Sequence, residues 1–170
     1  MKLKPRQPAP PLRFDLADGS HWDLSAQKPK TFTMVVFYRG LHCPRCRDYL
    51  TELQQRLDDL EALGVSVVAV SADDRDRAFR SKAEWKLDRL CIGHGLSTEA
   101  ARKWDLFISK ALREGETPEF FEPGLFLVRP TGVVQYAAVT SSPWGRPPIM
   151  EVLGGIKFAI EQKSPGRGEA

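Results

Sequence analysis

Residues 31–38 read Thr-Phe-Thr-Met-Val-Val-Phe-Tyr, an unbroken apolar and β-rich run. A strand exposed on one face would alternate apolar and polar side chains. A run without polar breaks suits a strand buried on both faces of a central sheet. Arg39-Gly40-Leu41-His42 ends it. Beyond lie Tyr49, Leu50, Leu53, Leu57, Leu60 and Leu63 at helical spacing, closed by Gly64. Val65-Ser-Val-Val-Ala-Val70 is a second buried run. Residues 31–70 therefore predict strand, helix, strand: a parallel βαβ unit with a right-handed crossover.

The flanking segments complete the pattern. Phe14 to Leu24 holds two short alternating runs around Asp18-Gly19, which predicts a hairpin. Asp73-Asp74 caps a helix expected to reach about Leu87, with Phe79 and Trp85 as its apolar contacts. Glu99 to Trp104 predicts a short helix. Leu125–Val128 and Val133–Val139 are strands joined by the turn Arg129-Pro-Thr-Gly132. Ile149 to Ile160 predicts a closing amphipathic helix. A parallel βαβ half followed by an antiparallel ββα half is the thioredoxin-like pattern. The expected class is therefore α/β, a central mixed sheet flanked by helices, with an N-terminal β-hairpin extension. The expected division is an N-terminal arm over 1–11, one domain over 12–162 and a flexible tail over 163–170. The arm is so read for its four prolines and the tail for its polar composition.

A chain of 170 residues fits one domain and can bury a core without disulfide staples. The net charge of +3, from 25 basic and 22 acidic residues, is too balanced to call for nucleic acid or an anionic membrane. The basic N-terminal residues are followed by no apolar run of the signal-peptide kind, and no segment is long and apolar enough to span a bilayer. The expected compartment is the cytoplasm, where thiols stay reduced. There a Cys-x-x-Cys motif is catalytic or metal-binding rather than structural.

Cys43-Pro44-Arg45-Cys46 lies between the first buried strand and the long helix. A thiol at a helix N-terminus faces unpaired N–H groups and the positive end of the dipole, and both favour a thiolate. Cys43, at the exposed start of the helix, is the candidate nucleophile. Cys46, one turn on and more buried, suits attack on a species formed at Cys43. Arg39, Arg45 and Arg47 add positive charge. His42 adds to it when protonated. Pro44 fits the first helical turn, where a missing N–H costs little. A lone Cys-x-x-Cys is a weak signal, but one that opens the helix of a βαβ unit is a strong redox signal.

Two other readings of the cysteines stand beside this one. They can be buried inert thiols, against which the polar, basic neighbours of Cys43 argue. They can also join Cys91 and His94 as a Cys₃His zinc set, although the spacing far exceeds that of compact zinc modules. Otherwise Cys91 is a spectator thiol. His21 and His94 read as surface or structural residues, Asp73-Asp74 as a helix cap, and Trp22, Trp85, Trp104 and Trp144 as packing. Pro123 is either an ordinary strand-start proline or a cis proline facing the cysteines.

Three segments carry a family resemblance. Phe37-Tyr-Arg-Gly-Leu-His-Cys-Pro-Arg-Cys46, Gly64-Val-Ser-Val-Val-Ala-Val-Ser-Ala-Asp73 and Glu122-Pro-Gly-Leu-Phe-Leu-Val-Arg-Pro-Thr-Gly-Val-Val133 resemble the AhpC/TSA, peroxiredoxin-like branch of the thioredoxin superfamily. The resemblance spans about Phe14 to Ile160. It implies that Cys43 is the attacking cysteine, Cys46 the second cysteine of a thioredoxin-type pair, and Pro123 the proline beside the active site. The chain departs from the family where peroxide is handled. Gly40 stands where Thr or Ser is expected, and Glu122-Pro123 where peroxiredoxins carry an arginine. Arg39 is the candidate to replace that charge.

The expected function is that of a thiol-dependent antioxidant enzyme reducing hydroperoxides through a Cys43/Cys46 dithiol–disulfide cycle. Thiol–disulfide exchange on disulfide substrates is the alternative, and a non-enzymatic zinc module the third reading. The redox readings need no cofactor and no metal. They need a hydroperoxide or disulfide substrate and a reducing dithiol partner, such as a thioredoxin or glutathione system. They call for no nucleic acid and no membrane, and they leave a homodimer open.

Overall fold

The computed structural model describes residues 2–170. Its centre is β3 (Phe32–Phe37), hydrogen-bonded in parallel to β4 (Val65–Val70) in the register Phe32↔Val65 to Phe37↔Val70. On its other side β3 pairs antiparallel with β8 (Gly124–Val128), which pairs with β9 (Val134–Val139). Beyond β4 lies a parallel strand, β5 (Cys91–His94). The hairpin of β1 (Arg13–Leu16) and β2 (His21–Asp23) adds its first strand antiparallel to β5. The seven-stranded order is β2-β1-β5-β4-β3-β8-β9. The expected thioredoxin-like α/β architecture is observed, with its N-terminal hairpin forming one edge of the sheet.

The unbroken apolar run of β3 is explained by two cores. Met34 and Val36 face one layer, with Leu50, Leu53, Leu60, Trp85 and Ile156. Val35 and Phe37 face the other, with Trp104, Phe121 and Phe126. Both layers are packed, and the strand's one polar side chain, Thr33, is buried with its hydroxyl 3.5 Å from that of Ser66. The first layer is covered by α1 (Pro44–Gln55), α2 (Leu57–Ala62), α3 (Arg75–Glu84) and α5 (Ile149–Glu161). The second carries α4 (Thr98–Lys103) and a separate hairpin of β6 (Ile108–Lys110) and β7 (Glu119–Phe121).

Several expectations change. The single helix expected up to Leu63 breaks at Arg56, whose N–H bonds the Leu53 carbonyl at 3.0 Å in a tightened last turn. The restart at Leu57 keeps Leu60 buried with Leu53. Phe79 is no core contact and is 61 % exposed. The buried stripe of α3 runs through Ala78 and Ser81, and Phe79 lies one residue, about 100°, off it. The sequence predicts neither strand β5 nor the β6–β7 hairpin. Four residues with a central glycine carry little strand propensity, and β5 forms because the open edge of β4 supplies its ladder. Gly93 within it leaves room for the Phe14 ring of β1.

The arm and the tail both lie on the domain. Arg6 N–H donates to the Val134 carbonyl at 2.7 Å and Val134 N–H to the Gln7 carbonyl at 2.9 Å, lining the start of β9. Glu169 pairs with Arg6 at 2.7 Å, and Ser164 O accepts from Arg129 and Gln135. Among the described residues no helix is long and apolar enough to cross a membrane.

Candidate active site

β3 ends at the rim where its neighbour β4 also ends, and the chain turns there into α1. Cys43 is the N-cap of α1 and Pro44 its first residue. The Cys43 Sγ accepts the Cys46 N–H at 3.1 Å, so the sulfur takes a donor the helix leaves free. The Cys43 carbonyl accepts from Cys46 and Arg47, which starts the helix. Cys43 and Cys46 are joined by a disulfide, their Cα atoms 5.2 Å apart. Both are buried, at 1 % and 0 % exposure. The expectation that Cys43 is exposed is therefore corrected for the disulfide form. The sulfurs pack in the first core layer beneath the turn, while Pro44 and Arg45 stand exposed above them.

Asp73, at the end of the segment following β4, holds the loop before the cysteines. It is wholly buried, and Oδ2 accepts the Leu41 N–H at 2.7 Å. Oδ1 accepts from Arg77 Nε at 3.0 Å and from the Thr117 hydroxyl at 2.7 Å. Its carboxylate occupies the space that a Cβ on Gly40 would fill, and Gly40 has φ +127°. Gly40 O in turn accepts the Cys43 N–H at 3.1 Å. The sequence predicts Asp73-Asp74 as a helix cap. Only Asp74 is one, accepting the Arg77 N–H at 2.9 Å.

Arg39 extends toward the β6–β7 hairpin. Its Nε lies 3.3 Å from Glu122 Oε2, short of hydrogen-bond geometry, and its Nη2 lies 4.0 Å from Glu116. The guanidinium stacks 4.8 Å from the centre of the Phe120 ring. Two carboxylates thus balance the charge expected to serve the cysteines. His42 packs 4.8 Å from the same ring, with both ring nitrogens lacking a hydrogen-bond partner. Burial, then the neighbouring Arg39 charge, pushes its pKa below the ordinary histidine value. The neutral ring is favoured, so His42 is not the cation the sequence allowed.

The cation at the sulfurs is Arg146, which sequence reasoning missed. Its Nη2 donates to Cys46 Sγ at 2.9 Å and its Nη1 to the Pro143 carbonyl at 2.5 Å. Its guanidinium lies 5.1 Å from the centre of the Tyr49 ring, and the Tyr49 hydroxyl donates to Pro147 O at 2.8 Å. Arg146 lies 100 positions from Cys46, in a loop with no local pattern, so no spacing signal could have found it. Pro123 borders the same spot: it lines a cavity of about 70 Å³ with Val36, Tyr49 and Arg146. Its peptide bond is trans, as are all those among the described residues, which corrects the cis reading. Its carbonyl accepts the Thr140 N–H at 3.0 Å and so continues the β8–β9 ladder.

The zinc set does not assemble. Among the described residues no group of three or more His, Cys, Asp or Glu side chains is placed to hold a metal. Cys91 pairs with Val68 within the sheet and its free thiol faces out, away from the Cys43–Cys46 core.

A disulfide pair at a helix N-terminus on a thioredoxin-like sheet fits a thiol-based oxidoreductase, the class to which the chain belongs. The model of the AhpC/TSA family matches residues 5–137, and the chain belongs to that family. It is a peroxiredoxin-like antioxidant enzyme. Among curated proteins no sequence matches it. Solved structures share its fold at low identity. A cysteine-to-serine mutant of peroxiredoxin 6 from Arenicola marina is 15 % identical, with TM-score 0.82, over 95 % of this chain and 76 % of that one. Peroxidoxin BcpB from Mycobacterium tuberculosis is 13 % identical, with TM-score 0.75, over 91 % and 97 %. The reduced 2-Cys peroxiredoxin of Plasmodium vivax is 17 % identical, with TM-score 0.71, over 93 % and 82 %.

Proposed function

We propose that Cys43 and Cys46 carry out hydroperoxide reduction as a dithiol cycle. The Cys43 thiolate attacks one peroxide oxygen, the O–O bond breaks, and the other oxygen leaves as alcohol or water with one proton. Cys43 is thereby a sulfenic acid. Cys46 attacks that sulfur, water leaves, and the disulfide forms. A dithiol partner of the thioredoxin or glutathione kind returns the pair to thiols. Cytoplasmic residence belongs to this reading, since the cycle draws on a reducing thiol pool. The observation that carries it is the Cys43 sulfur at the N-terminus of α1, accepting a helix N–H and bonded to Cys46.

A second reading, exchange with protein or small-molecule disulfides, is favoured by one feature. At the positions where the family orients a peroxide, Gly40 has no side chain and Arg39 faces Glu122. The deciding measurement is the rate at which the reduced protein reacts with hydrogen peroxide, followed by tryptophan fluorescence. A fast reaction that is lost in Cys43→Ser supports the peroxidase. A rate no better than that of a free thiol moves the assignment to disulfide exchange.

A further inference from the structure

Among the described residues Arg146 makes no ion pair. Its guanidinium is half-buried against Tyr49, its Nε has no hydrogen-bond partner, and its two other contacts are a neutral carbonyl and the Cys46 sulfur. The acidic groups that act on it through space are the Tyr49 phenol and Glu122, and the Glu122 carboxylate also faces Arg39 at 3.3 Å. Burial lowers the Arg146 pKa to about 10, so this site disfavours its charge while the sulfur is uncharged. A partly desolvated cation gains most when a neighbour becomes anionic. A disulfide sulfur is a weak acceptor and a thiolate a strong one, and charge-assisted hydrogen bonds are about twice as strong as neutral ones. The Arg146–Cys46 contact is therefore worth more after reduction than before it.

We propose that Arg146 holds Cys46 as a thiolate, and so makes Cys46 the leaving group when the disulfide is reduced and makes the pair oxidising. This rests on the Cys43/Cys46 cycle proposed above. In the step concerned, a partner thiolate attacks Cys43 Sγ and the Cys43–Cys46 bond breaks. The electron pair goes to Cys46, which leaves as a thiolate paired with Arg146. The partner's second thiolate then attacks its own sulfur in the mixed disulfide, and Cys43 leaves reduced. A lower leaving-thiol pKa speeds the first attack, and a stabilised thiolate in the reduced state raises the potential of the couple. The second cysteine of the motif is thus itself tuned, by a residue from the loop before α5.

Two measurements test this. The first uses Cys43→Ser/Cys91→Ser, in which Cys46 is the only thiol, and follows the pH dependence of alkylation by iodoacetamide. The Cys46 pKa is expected below the ordinary thiol range and is expected to rise by about one unit when Arg146→Met is added. The second equilibrates the otherwise native protein with glutathione redox buffers. Arg146→Met is expected to shift the equilibrium about tenfold toward the disulfide, or about 30 mV, and Arg146→Lys to restore part of that shift. A Cys46 pKa unmoved by Arg146→Met, or an equilibrium equal in wild type, Met and Lys variants, overturns the proposal. Its failure is distinct from failure of the cycle, which would leave the wild-type pair without reversible oxidation in the same buffers. Circular dichroism of each variant identifies loss of fold, and Arg146→Lys carries the test if Arg146→Met is unfolded.

Discussion

The Leu41 N–H donates to Asp73 Oδ2 at 2.7 Å, tying the loop ahead of the cysteines to the end of the neighbouring strand. The carboxylate that makes this bond also fills the space beside Gly40. The position of Cys43 is set by this packing as well as by its helix.

Gly40→Ala tests the relationship. A Cβ there would sit 2.6 Å from Asp73 Oδ1, on a backbone with φ +127°. Displacement of the loop by about 1 Å should slow the Cys43 reaction by between about ten- and a hundredfold, measured as alkylation of the reduced protein. Asp73→Ala should cost about 1–3 kcal/mol in urea unfolding, because the Leu41 N–H and the Thr117 hydroxyl lose their acceptor. Asp73→Asn, which keeps an acceptor for Leu41, should cost less.

The two cysteines should fail differently. Cys43→Ser should abolish turnover with peroxide or disulfide. Cys46→Ser should leave one reactive thiol that accumulates as sulfenic acid or mixed disulfide, visible as an added mass. Full activity of Cys43→Ser would remove the assignment.

His42 should make the protein acid-sensitive. Its folded pKa is lowered, chiefly by burial, so below about 6.5 the unfolded chain binds a proton that the folded one refuses. The unfolded state then holds more protons and stability falls as pH falls. The contribution is fully present above the unfolded pKa and is lost as pH drops toward the folded one. His42→Asn should flatten that side of the thermal-unfolding profile. An unchanged slope would refute the assignment to His42.

Phe126 should matter to the fold and not to the thiols. It is fully buried, edge-on to Phe37 at 5.8 Å and to Trp104 at 4.9 Å, in the layer opposite the cysteines. Phe126→Ala should cost about 3–5 kcal/mol, read in urea, with Cys43 alkylation in the folded fraction unaltered.

Most of the fold was legible because its core strands and helices carry local patterns. β3, β4 and α5 show as apolar runs or helical spacing, and the cysteine motif shows by its place between them. β5 and the β6–β7 hairpin are too short to have a periodicity, and they exist because other elements offer them ladders or cover. Arg39 illustrates the limit at the site. Its identity suggested a cation for the cysteines, and only the fold brings Glu122 and Glu116 against it.

By itself the sequence determined that a dithiol opens a helix after a buried strand, since strand burial, helix spacing and the Cys-x-x-Cys interval are all local. Tertiary structure alone decided which charges reach the sulfurs and the residues around them. Arg146 arrives from a loop 100 residues away, Asp73 from the neighbouring strand's end, and the carboxylates that occupy Arg39 from the far hairpin. The physical reason is that charge acts through space, over a few ångströms and through whatever dielectric the packing leaves, and neither is written in the spacing of residues along the chain.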